Sequence, residues 1–189
     1  MKTTVRIICA MLALSAVLAL GACRKQQTDV PEGYKLAGAA ESGADDRSEA
    51  KDYYLYIPQA WTVDINNTAT SAFVSASDPA SVSVMTWTVS VTDATPAECW
   101  DTSVTDFKKV YADFKEESRE DVKLDGVDAL SVTFTGSLGE GDEANAFRFC
   151  QVLAVKDTLV YVLTYTNLES RFDEHSQDFA DIVSYFKFK

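Results

Sequence analysis

The segment Leu159-Val160-Tyr161-Val162-Leu163 is apolar on both of its side-chain sets. Successive residues of a strand point to opposite faces of a sheet, so a strand of this kind must be covered on both sides. The chain therefore has to supply two apolar covers for one sheet, and two stretches of helical period offer them. Ala97, Trp100, Val104, Phe107, Tyr111 and Phe114 recur at three- and four-residue steps. They predict one apolar stripe about five turns long, with Lys108, Lys109, Asp113, Lys115 and Glu116 on the other side. Its start is marked by Thr95 as N-cap, Pro96 in the first turn and Glu98 closing a capping box. A second box, Thr166-Asn167-Leu168-Glu169, predicts another helix that turns Phe172, Phe179, Ile182, Val183 and Phe186 to one face.

The rest of the chain from Lys51 onward reads as strands. Tyr53 to Ile57 is aromatic and β-branched and is stopped by Pro58. Phe73 to Ser77 is ended by Asp78-Pro79, and Ser81 to Thr92 is rich in Val and Thr at period two. After the first helix, a strand around Asp121 to Leu124 meets the turn pair Asp125-Gly126 and a strand from Val127 to Thr135. Asp-Gly between two β-prone runs is a strong hairpin signal. An acidic, glycine-containing connection, Gly136 to Asn145, leads to strands Ala146 to Val155 and Thr158 to Thr166, joined by Lys156-Asp157. The order β-β-β-α-β-β-β-β-α predicts an α+β domain at residues 51–189. Its architecture is an α/β/α sandwich: a largely antiparallel sheet of six to seven strands with a helix on each face.

The first 22 residues have a different character. Lys2 and Arg6 precede an apolar run from Ile7 to Leu20, with no acid before Glu32. Fourteen residues is short of the roughly 20 needed to cross a bilayer and fits the apolar region of a signal peptide. The run ends in Leu20-Gly21-Ala22-Cys23, which resembles the lipobox of bacterial lipoproteins. That resemblance implies cleavage before Cys23, lipid on its thiol and a membrane anchor. Residues 24–50, rich in Ala, Gly, Ser, Gln, Asp and Glu without periodicity, read as a flexible tether. The expected organisation is thus signal peptide 1–22, lipidated Cys23 with tether to residue 50, and a domain held on the extracytoplasmic face of the cell membrane.

Removing residues 1–22 takes two of the 17 basic residues and none of the 29 acidic ones, leaving a net charge of −14. Such a chain is repelled by nucleic acid and by anionic head groups, so no nucleic-acid partner is expected. Of the four cysteines, Cys9 leaves with the signal and Cys23 takes the lipid. Cys99 and Cys150 remain, either bridged, in a compartment that permits disulfides, or as two buried thiols.

The order of elements, with certain residues, resembles the PsbP-like family. The matching residues are Tyr56-Ile57-Pro58 followed by Trp61, Phe73-Val74-Ser75 with Asp78, and Ser81-Val82-Ser83-Val84. Gly126 follows, then Val160-Tyr161-Val162-Leu163-Thr164, and Ile182-Val183-Ser184-Tyr185-Phe186 closes the chain. The resemblance covers nearly all of residues 51–189 and implies an α/β/α sandwich around an antiparallel sheet. It does not imply a function, because fold constrains role loosely.

Candidate chemistry is sparse. His175, the one histidine, stands among Asp173, Glu174 and Asp178, and its spacing from Phe172 and Phe179 predicts a partly buried, hydrogen-bonded imidazole. Zinc requires three or four placed ligands, and no Cys/His spacing supplies them. No Gly-x-Ser-x-Gly elbow or phosphate-binding loop is present. Glu140, Asp142 and Glu143 are weak calcium candidates that lack the spacing of a calcium loop. Trp61, Trp87 and Trp100 are expected in the core. No enzyme activity and no cofactor are expected. The expected role is a non-catalytic accessory or protein-interaction module of the cell envelope, with small-ligand or cation binding between sheet and helix as the alternative.

Overall fold

The computed structural model describes residues 29–38, 51–65, 69–91, 93–111, 113–138 and 145–189. The expected signal segment, Cys23, Glu140, Asp142 and Glu143 lie outside them, as does most of the expected tether. Three short strands come first: β1 (Tyr34–Leu36), β2 (Tyr53–Tyr54) and β3 (Tyr56–Pro58). The main sheet is built from β4 (Thr62–Ile65), β5 (Ala69–Ser75), β6 (Asp78–Thr88), β7 (Lys115–Leu124), β8 (Val127–Leu138), β9 (Asn145–Lys156) and β10 (Leu159–Leu168). Helix α1 (Pro96–Val110) joins β6 to β7. A 3-10 turn (Glu169–His175), helix α2 (Ser176–Tyr185) and β11 (Lys187–Phe188) close the chain.

The seven strands run in the order β4-β5-β6-β10-β9-β8-β7, and every neighbouring pair is antiparallel. The Asp125-Gly126 turn is present, with φ of 46° and 83°. Positive φ at both positions is what a two-residue hairpin loop matching the strand twist requires.

Each face of the sheet has its own core. On one, Trp100 of α1 packs with Leu130, Val132, Phe134, Phe149 and Leu153. The Phe134 and Phe149 rings stack at 4.7 Å and Phe107 stacks on Phe134 at 5.3 Å. On the other face, Phe179, Ile182 and Phe186 meet Tyr165 and Leu163 of β10, and Leu55, Ile57 and Trp61 complete that layer. The doubly apolar β10 is thus shared: Val160 and Val162 point to the α1 side, Tyr161, Leu163 and Tyr165 to the α2 side.

Helix α1 starts as its sequence specifies. Glu98 N–H donates to Thr95 Oγ1 at 3.2 Å, and Thr95 N–H donates to Glu98 Oε2 at 2.9 Å. It stops one turn early, because Tyr111 is extended, and Phe114 reaches the same core from beyond the helix. The second helix departs from expectation. Thr166 to Leu168 continue β10, paired with Phe149 to Phe147, so no capping box forms. The Asn167 amide is buried and serves local backbone instead, donating to Arg171 O and accepting from Leu168 N–H, both at 2.8 Å. The chain then turns through a 3-10 segment, and α2 begins ten residues later than the box suggested.

One stretch expected as tether forms a strand. Tyr34 to Leu36, expected within the tether, pair with Pro58 to Tyr56, and Ala37 is buried. Tyr34 Oη donates to Asp181 Oδ2 of α2 at 2.9 Å, and its ring meets Tyr185 edge-on at 5.0 Å. A three-residue strand has no periodicity of its own to read, and its stability comes from the partners it docks on.

Candidate interaction surface

The surface follows from the route of the chain. From β6, in the middle of the sheet, α1 crosses toward the far edge strand β7 and lies over β8 and β9. The β4-β5-β6 half of that face is left without a helix. Its residues are set by alternation. Val82 and Val84 point into the α2-side core, so Ser81, Ser83, Met85 and Trp87 point to the open side, opposite Thr166, Thr164, Val162 and Val160. Beside them Phe73 pairs with Ser81, and Ser71 with Ser83.

Hydroxyl side chains dominate this half, with large apolar groups concentrated among them. Phe73 is 36% exposed, Trp87 37%, Met85 49% and nearby Val91 55%. Trp87, Val89 and Val91 form one wall of a cleft of about 440 Å³, closed by Ala94, Glu98 and Cys99 at the start of α1. An exposed cluster of this kind marks a contact site more often than scattered single residues do. Trp61 and Trp100 are core residues, as expected, but Trp87 is not. The signal was present in its alternation partners: Ser71, Ser81 and Ser83 share its face, and a face built of serine is not a core.

On the opposite face a smaller trough of about 310 Å³ lies between α2 and the sheet. Cys150, Val152, Tyr165, Phe172, Phe179 and Val183 line it. Arg148, held by Glu117 at 2.8 Å, lies 4.8 Å over the Phe172 ring.

The two cysteines do not meet. Cys99 belongs to the α1-side core and Cys150 packs against the α2-side core, so the sheet lies between them and both are free thiols. The disulfide alternative is therefore corrected, since strand alternation sends Cys150 away from α1. Burial pushes both thiols above their ordinary pKa.

His175 sits in an ion-paired cluster. Its Nδ1 lies 2.7 Å from Asp178 Oδ2 and its Nε2 3.4 Å from Asp78 Oδ2, with Trp61 edge-on at 5.6 Å. Arg171 Nη2 donates to Asp78 Oδ2 and to Glu174 Oε2, both at 2.7 Å. Asp78, Glu174 and His175 bring one potential ligand atom each within 4.8 Å of one another. A metal there would compete with the guanidinium that already bridges both carboxylates. The cluster is better described as a clip that fastens the 3-10 turn to the start of β6. Burial raises the Asp78 carboxyl, but the Ala80 N–H, Arg171 and His175 outweigh it and hold the group below its ordinary range.

The chain belongs to the PsbP-like protein family, whose sequence profile matches residues 46–188. Among solved structures it is similar to cyanobacterial PsbP (CyanoP) from Synechocystis, at 14% identity and TM-score 0.57 over 90% of this chain and 99% of that one. It is also similar to LpqN, a protein involved in cell envelope biogenesis of Mycobacterium tuberculosis. There the identity is 12% and the TM-score 0.52, over 82% of this chain and 90% of that one. At such identities the likeness is one of fold. No curated protein matches the chain. Among the described residues no helix is long and apolar enough to cross a membrane.

Proposed function

We propose that this protein is an extracytoplasmic lipoprotein anchored through Cys23. In this reading it acts as a non-catalytic interaction module of the cell envelope, holding its partner on the open half of the sheet beside α1. The observation that carries the reading is the exposure of Met85 and Trp87 on the helix-free half of the sheet, with Val91 beside Trp87 in the same cleft. Burying such side chains on association is favourable by about 25 cal/mol per Å², and a few central aromatic anchors commonly dominate an interface. The fold shared with an envelope-biogenesis protein supports an envelope setting, and the lipobox-like Leu20-Gly21-Ala22-Cys23 supports the anchor.

Two experiments test it. Labelling cells with an alkyne palmitate analogue should mark the wild type and not Cys23→Ala; an unlabelled wild type sinks the anchor. Photo-crosslinking from position 85 in intact cells should give one discrete adduct, reproduced when the identified partner is tagged instead, and lost in Trp87→Glu. Adducts equally abundant from position 85 and from Asp121 on the edge strand β7 would refute the docking face.

The trough under α2 favours a second reading, binding of a small apolar ligand. Native mass spectrometry of protein purified from the envelope should then show a bound mass that Val183→Asp removes. Finding only the bare polypeptide would end that reading.

A further inference from the structure

We infer that the α2 side of the domain is the surface that faces the lipid bilayer, and that the open patch beside α1 is directed away from it into the aqueous compartment. The inference rests on the proposed anchor at Cys23, and what adds to it is the place where the chain joins the fold.

The chain is fastened to the domain from Pro31 onward. Pro31 O accepts from Tyr34 N–H at 3.1 Å, and Gly33 O accepts from Gln59 N–H at 2.9 Å. Strand β1 then pairs with β3, and Tyr34 ties to Asp181 and Tyr185 on the flank of α2. Only eight residue steps separate Cys23 from Pro31. Whatever conformation they take, they span no more than about 28 Å, and about 16 Å as a root-mean-square distance. A tether running to residue 50 would have spanned roughly three times as far when fully extended.

That difference decides the orientation. A domain of about 150 residues has a radius of gyration near 15 Å, which corresponds to a sphere of radius about 19 Å. Turning the side opposite the attachment onto the membrane would take the leash over a quarter of the circumference and then down one radius, about 50 Å in all. The available length is little more than half of that. Strands β1 and β3 belong to the same layer as α2, and α1 lies on the other face of the sheet. The side opposite the attachment therefore cannot be brought onto the bilayer, and because β1 attaches on the α2 side of the sheet, the α2 side lies nearer the membrane than the α1 side.

The chemistry of the near side is compatible with that position. Val30 is 48% exposed at the point of attachment, and the Tyr34–Tyr185 pair beside it is partly buried. Tyrosine, with an apolar body and a polar tip, suits a membrane–water interface. A net charge of −14 opposes flat adsorption on anionic lipid, so it is the short leash rather than attraction that keeps the domain there.

The test uses the full lipidated chain reconstituted in phosphatidylcholine vesicles that carry an acceptor dye on a fraction of their head groups. A donor dye is placed at Gln177→Cys on α2 or at Asp106→Cys on α1, both exposed positions. Energy transfer from position 177 should be at least twice that from position 106. Inserting twenty Gly/Ser residues between 28 and 29 should bring the two within a factor of about 1.2. Ser184→Cys and Thr105→Cys provide a second pair should either first variant fold poorly. Equal transfer from the two faces of the native chain, on protein that floats with the vesicles, overturns the orientation and leaves the anchor standing. Failure to float, with no acyl mass on Cys23, overturns the anchor and the orientation with it.

Discussion

Replacing Gly136 by alanine puts a methyl group into space that Tyr111 already fills. A Cβ at this position in β8 would lie 2.6 Å from Tyr111 Cγ, 2.8 Å from its Cβ and 2.9 Å from its Cδ1. Carbon atoms in contact sit about 3.5–4.0 Å apart, so the ring must retreat by roughly 1 Å. It has nowhere to go without opening the core, because Phe149 stands 5.2 Å away and Phe107 and Phe134 each 6.2 Å. Overpacking of this sort costs about 1–3 kcal/mol, and the conformational gain of alanine over glycine in a strand returns about 0.5–1 kcal/mol. The expected net loss is about 1–2 kcal/mol, or a fall in Tm of roughly 2–8 °C for a chain of this size. Urea denaturation of the chain from residue 24 would measure it. The decisive comparison is the same change on a Tyr111→Ala background. With the ring gone, Gly136→Ala should be neutral or stabilising. An equal loss in both backgrounds would refute the steric argument.

Other outcomes follow from features already described. Thr95→Ala removes the cap of α1 and should lower stability by about 1 kcal/mol in the same assay, while Thr95→Ser should restore most of it. Asp78 is held below its ordinary pKa in the folded chain, so its stabilisation is present above the unfolded value of about 3.9 and is lost as pH falls through the folded value. The stability gap between wild type and Asp78→Asn should accordingly be widest at neutral pH and shrink from about pH 4 downward. A gap that does not change with pH would remove Asp78 from that account. Cys99 and Cys150, both with raised thiol pKa, should remain unmodified by brief maleimide treatment at pH 7, as mass spectrometry under native and unfolding conditions would show.

What could be read from the sequence was whatever depends on neighbours along the chain. The spacing of Thr95 and Glu98 determines a cap because both partners lie within one turn, and Asp125-Gly126 determines a hairpin because the turn needs only its own two φ angles. The doubly apolar β10 required two covers, and two covers are present. The features that escaped depend on partners far away. Tyr34 to Leu36 form a strand because β3 and Asp181 are there to receive them. The four residues of β4 hold as an edge because β5 offers them hydrogen bonds. Thr166 to Glu169 has the pattern of a cap, but pairing with β9 and the buried Asn167 amide outweigh it. The exposure of Trp87 was legible only in part: the serines that share its face argue against a core, while the direction in which α1 crosses the sheet is set by packing far along the chain.

Cys99 and Cys150 lie on opposite faces of the sheet, so no oxidant can join them within one folded copy of this chain. The domain reaches its native shape without a covalent closure. Its folding makes no demand on thiol-oxidising catalysts, and it would keep the same form under oxygen-poor conditions as under aerated ones. A sheet covered on both sides supplies the rigidity that many small exported domains obtain from cross-links.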